Sequence, residues 1–155
     1  MTIWELSEKA EYIADRHRQL QDQWHTYCNT LIQAVTLSKA HLYHAVGCSP
    51  DEDLCFVLFD HFIVHIEPAK GFNCHTIEYA LSTRDDNTRL LIGTAELSNA
   101  GQMDNSVNIR DRQQVLDHYL GKIGSVYDSL YQAVHDDTPL NVSELKQELA
   151  RHALA

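Results

Sequence analysis

Ile3, Leu6, Ala10, Ile13, His17, Leu20, Trp24, Tyr27, Leu31 and Ala34 follow one another in alternating steps of three and four. Charged residues such as Glu8, Glu11, Asp15 and Arg18 lie between them. This is the heptad spacing of a helix that buries a narrow seam. Thr2, with Glu5 three positions on, has the residue types of a capping box, and neither Gly nor Pro occurs before Gly47. The spacing predicts one long N-terminal helix, either continuous or broken near residue 36. In the broken form, β-branched Val35 and Thr36 interrupt it and Ser38 starts a second helix to Ala45. Gly47 and Pro50 are the expected stop. A helix of about 30 residues is ~45 Å long, more than a domain of this size needs. Either it covers a sheet and a second helix, or part of it is offered to a partner or a second copy.

From residue 54 to 107 the period changes to two. Phe62, Val64 and Ile66 alternate with Ile63, His65 and Glu67, and Ile77, Tyr79 and Leu81 with Thr76, Glu78 and Ser82. Residues 54–67 read either as two strands hinged at Asp60-His61 or as one long strand. Turn chemistry at residues 68–71 and 84–87 sets a strand over 71–83, with a further strand over 89–98 and a short edge near 103–107. The product is an antiparallel meander of three to five strands with one wet face. Asn108 is the expected cap of the next helix, with Asp111 supporting its start. Leu116, Tyr119, Leu120, Ile123, Val126, Tyr127, Leu130 and Val134 give that helix a stripe broad enough to cover the sheet. Asp136-Asp-Thr-Pro139 ends it. The reading is α+β, with a single domain over residues 1–139 and a short, frayed helical tail over 140–155.

Composition narrows the function more than the fold. The chain has 155 residues, 44% of them apolar and 22% charged, the balance of one globular domain. No apolar run is long enough to span a membrane, and the first residues carry carboxylates where a secretory signal carries basic ones. The expected compartment is the cytoplasm. There Cys28, Cys48, Cys55 and Cys74 would be thiols filling the core. Twelve basic against 22 acidic residues give a net charge of −10, with no basic stripe. That charge disfavours DNA and suits a protein partner.

Phosphate loops, nucleophile elbows and helical zinc-hydrolase motifs are missing. His41 and His44, His61 and His65, and Cys74-His75 are the residues from which a metal site could be assembled. None has the tight spacing of a structural zinc site, so no metal or other cofactor is expected. If the seam meets a partner, Trp24 and Tyr27 are the aromatic anchors that would dominate the contact, with His17 and Leu20 beside them. Both aromatics fit a core role better than a contact role.

Several longer blocks carry a resemblance. Met1-Thr-Ile-Trp-Glu-Leu-Ser-Glu-Lys-Ala10, Leu20-Gln-Asp-Gln-Trp-His25 and Leu54-Cys-Phe-Val-Leu-Phe59 are similar to the HycA family of formate hydrogenlyase regulatory proteins. So are Gly71-Phe-Asn73, His75-Thr-Ile-Glu-Tyr79, Val107-Asn-Ile-Arg-Asp-Arg112 and Val126-Tyr-Asp-Ser-Leu-Tyr131. The likeness runs from residue 1 to about 139. It implies a negative regulator that opposes a formate-responsive transcriptional activator, by binding it or by blocking its access to upstream DNA. The alternatives are a repressor that binds this DNA itself and a metal- or ligand-binding sensor. The resemblance transfers no catalytic residue.

Overall fold

The structure is a computed structural model that describes residues 1–47 and 54–154. Helix α1 (Ile3–Leu37) begins as its sequence predicts. The Thr2 hydroxyl accepts from the Glu5 N–H at 3.2 Å, and the Glu5 carboxylate accepts from the Thr2 N–H at 3.3 Å. The helix is unbroken at residue 36, because Ala34 is buried and Val35 packs against the core, which outweighs the weak helix propensity of the β-branched pair. It ends where the Ser38 hydroxyl accepts from the Ala40 N–H, offering the backbone a turn instead. The second helix expected to Ala45 does not form. Residues 44–46 are instead strand β1 (His44–Val46), which finds ladder partners on strand β2 (Leu54–Leu58). Pro50, the expected stop, and Cys48 lie outside the described residues.

Strands β1, β2, β3 (Phe62–Pro68), β4 (Thr76–Thr83) and β5 (Asp86–Glu96) form one antiparallel meander in chain order. Residues 54–67 resolve into two strands because Phe59 and Asp60 both adopt left-handed backbone, φ 53° and 56°, the mirror-image turn that matches strand twist. β4 begins at Thr76, later than the 71 expected, because Gly71 and Asn73 take positive φ and leave the ladder. Between Tyr79↔Gly93 and Ala80↔Leu91 the register shifts, leaving Ile92 as a bulge. Lys122 reaches the bulge and donates to the Thr94 carbonyl at 2.8 Å. The outer face is only partly wet, since Cys55, Ala80 and Ser82 are buried there.

The expected edge near 103–107 is a small hairpin, β6 (Gln102–Met103) with β7 (Val107–Asn108). Because Asn108 belongs to that hairpin, the cap of helix α2 (Arg112–His135) falls three residues later. Asp111 accepts from the N–H groups of Gln113 and Gln114. Val115, Tyr119, Ile123 and Val126 are its buried stripe, whereas Val134, expected on the stripe, is exposed. The C-terminal segment docks through helix α3 (Val142–Leu154). Asn141 caps it, and Leu145 joins the core at 1% exposure. One core therefore lies between the sheet's inner face and three helices.

Its polar content is concentrated in tyrosines. The hydroxyls of Tyr27 on α1 and Tyr79 on β4 bond to each other at 2.7 Å, fully buried. Burial pushes both phenols well above their ordinary pKa, so the pair stays neutral. The Tyr119 hydroxyl bonds to Nε2 of His44 at 2.5 Å, and burial lowers the His44 pKa to about 4. The neutral imidazole shares this bond with the Tyr119 hydroxyl, and protonating the ring would place a charge where burial disfavours it. Cys55 is disulfide-bonded, which departs from the expectation of thiols throughout, while Cys28 and Cys74 are thiols.

Two outcomes follow for stability. Leu145→Ala should cost about 2–4 kcal/mol in urea unfolding, the range for emptying a buried leucine site; a loss under 0.5 kcal/mol would mean that α3 contributes little to the fold. His44 has a depressed folded pKa, so its contribution is complete above the unfolded value of about 6.5 and is lost as pH falls towards about 4. His44→Gln should therefore flatten the pH dependence of stability between those limits. An unchanged slope would show that other groups set it.

Candidate protein-binding surface

The body covers only the C-terminal half of α1. Residues 1–19 are all exposed, and from Leu20 onward the seam packs inward. Ile3, Trp4, Leu6, Tyr12 and Ile13 are at least half exposed, from 50% at Ile13 to 77% at Trp4. Gln23 fixes the point of departure, its side-chain amide donating to the Asn99 carbonyl at 3.2 Å. Opposite it, Gly101 at φ 77° leaves room for Gln23; a Cβ there would lie 3.1 Å from Oε1.

A loop facing the helix completes a crook. After Pro68 ends β3, Gly71 (φ 131°) and Asn73 (φ 57°) turn the chain so that Phe72 projects from it, 73% exposed. His75 secures the base of the loop, its Nδ1–H donating to the Leu97 carbonyl at 2.7 Å. The Phe72 ring stacks on His17, centroids 5.5 Å apart. Tyr12, Ile13, Arg16 and His17 face Phe72, Asn73, His75 and Asn99 across an open cleft of about 490 Å³. On the body side of His17, a smaller cleft of about 250 Å³ lies between Leu20, Gln21, Trp24 and the loop residues Pro68, Ala69 and Cys74.

The four residues singled out on the seam are placed in three ways. His17 is exposed at the mouth of both clefts. Leu20 and Trp24 are half-buried, each with one side in the smaller cleft and the other on the core. Tyr27 is fully buried with its hydroxyl on Tyr79, so it supports the surface from within. Phe72, Tyr12 and Arg16 were not singled out. The available signal was a large aromatic between Gly71 and Asn73, since turn residues on both sides push the ring to the surface.

The crook is open and edged by aromatic rings, the residue type that dominates protein contacts. Of the five histidines that invited a metal reading, three have hydrogen-bond partners: His65 with Ser82 at 2.8 Å, His44 with Tyr119 and His75 with Leu97. Among the described residues no group of three or more His, Cys, Asp or Glu side chains converges. His118 bonds to Asp104 at 2.8 Å, tying the β6–β7 hairpin to α2. Burial opposes the Asp104 charge, but hydrogen bonds from His118 and the Glu96 N–H, with Lys122 nearby, hold its pKa below the ordinary value. Among the described residues no helix is long and apolar enough to cross a membrane.

If Gly101 sets where α1 leaves the body, Gly101→Ala should cost about 1–2 kcal/mol through strained backbone and displaced Gln23. Thermal unfolding of the variant measures it; an unshifted midpoint would show that the turn adapts freely.

Comparison with known proteins agrees with the blocks noted in the sequence. The model of a family described as transcriptional repressor of hyc and hyp operons matches residues 1–146. The formate hydrogenlyase regulatory protein HycA of Escherichia coli strain K12 is 60% identical over 145 residues, covering 94% of this chain and 95% of that protein. The proteins of the same name from Escherichia coli O157:H7 and Shigella flexneri show the same identity and coverage. No solved structure matches the chain. With the family model spanning all but the last turns of α3, the chain belongs to the HycA family of formate hydrogenlyase regulatory proteins, which are transcriptional repressors.

Proposed function

We propose that the chain represses formate hydrogenlyase genes in the cytoplasm as an anti-activator, gripping the formate-responsive transcriptional activator of those genes. It acts by binding and without catalysis or a cofactor. The observation that carries this reading is the exposed half of α1 with its apolar seam, set against Phe72 in an open crook. A seam of this spacing is made to pair with protein, and an isolated domain has no use for leaving Ile3, Leu6 and Ile13 in water. The charge of −10 agrees, because a chain that competes for upstream DNA directly would need a basic face to displace counterions.

Co-purification of the full chain with the activator tests the reading. A complex at micromolar concentration is expected. Phe72→Ala with His17→Ala should weaken it by about tenfold or more, since exposed aromatic anchors dominate such contacts. Their folding stability should be unchanged, while Tyr27→Phe should lower stability and spare the complex. Absence of any complex, together with retarded migration of upstream DNA by the chain alone, would replace this reading with direct DNA binding.

A further inference from the structure

We propose that the exposed half of α1 pairs with an amphipathic helix of another protein whose seam is flanked by Glu or Asp, and that this helix ends against Phe72. The inference rests on the protein-contact reading and specifies the chemistry of the partner.

Charge around the seam carries it. On a helix, positions 9 and 16 border the seam Ile3–Leu6–Ala10–Ile13–His17 on one side, and positions 7 and 14 on the other. Those positions hold Lys9 and Arg16 on one side and Ser7 and Ala14 on the other, so no carboxylate borders the seam, while Arg18 lies farther round beside its ion-pair partner Asp15, 3.5 Å away. The carboxylates Glu5, Glu8, Glu11 and Asp15 lie towards the opposite face. A chain of net charge −10 therefore presents one apolar stripe with a positive rim on one side and a neutral one on the other. Helix pairs choose their partners through charges at these flanking positions.

A second copy of this chain fits poorly in either direction. In a parallel pair its helix would continue past His17 into the space that the body and loop 69–75 already fill, because Leu20, Trp24, Tyr27 and Leu31 of the same seam are packed there. In an antiparallel pair Lys9 of each copy would meet Arg16 of the other, like charge against like. An anionic membrane would accept the positive rim, but the stripe is a narrow heptad seam, and exposed carboxylates fill the far side. A foreign helix with acidic rims satisfies seam, rims and sterics together. It can run from the tip of α1 as far as Phe72, whose ring, stacked on His17, closes the inner end of the track.

The test uses the full chain and two synthetic helical peptides of about 17 residues, with Leu and Ile on the seam and either Glu or Lys at every flanking position. Each peptide repels its own kind and stays monomeric. Fluorescence anisotropy should show binding of the Glu peptide, preferred by about tenfold or more over the Lys peptide. Lys9→Glu with Arg16→Glu should reverse that preference. Leu6→Gln with Ile13→Gln should abolish binding of the Glu peptide with no change in helix content, because both side chains are exposed and glutamine is a good helix former. Equal affinity for the two peptides, or none for either, overturns the proposal. So does a dimer of the chain alone that Leu6→Gln with Ile13→Gln dissociates, or binding to phosphatidylglycerol vesicles that the same pair abolishes. An activator complex that survives this pair unchanged also overturns it, yet leaves the anti-activator reading standing.

Discussion

A helix longer than the body it belongs to cannot be wholly buried by that body. α1 has 35 residues and a length of about 52 Å. β5, the longest strand at 11 residues, reaches about 36 Å, and β4 at 8 residues about 27 Å. Between roughly a third and a half of α1 therefore outruns the strands it can lie along. The rest of the architecture decides which end. Tyr27, Leu31 and Ala34 are bound into the core, so the tip is the end left free.

The anchor is polar as well as apolar, and this gives it one register. Sliding α1 by a turn would bring another apolar seam residue over the sheet at little cost in burial, but would strand the hydroxyls of Tyr27 and Tyr79 without partners. A buried unsatisfied hydroxyl costs about 1–3 kcal/mol, enough to select among packings that hydrophobic contact alone leaves nearly equal. Gln23 on Asn99 and the tight approach to Gly101 act on the same register from one turn away. Together they define where the helix leaves the body and hence what faces Phe72.

Much of this was legible in the sequence. The capping box, the heptad seam, the meander and the apolar stripe of α2 follow from spacing and local chemistry, which operate over a few residues. What escaped was long-range. Residues 38–45 carry no strand pattern; His44 becomes part of a strand because β2 offers an open edge and Phe56 a ring to stack on, centroids 4.6 Å apart. Asn108 has the chemistry of a cap but is claimed first by the ladder with Gln102. At the surface, seam spacing located His17, Leu20 and Trp24, yet could not separate them from Tyr27, because the period is the same on both sides of the point where the body ends. Phe72 was invisible for a different reason: its partner His17 is 55 positions away, and only the folded chain brings them together.

Helix ends in solvent ordinarily fray, and a frayed recognition element loses conformational entropy each time it is used. The reciprocal Thr2–Glu5 bonds sit at the outermost turn of α1, where fraying would begin. The protruding half is thereby kept in its folded shape before anything arrives, and its other end is fixed by the body. Ordering on association then falls wholly on whatever it meets. Encounters with a rigid rod of this kind succeed or fail on first alignment, so differences between ligands would be expressed mainly in how long they stay.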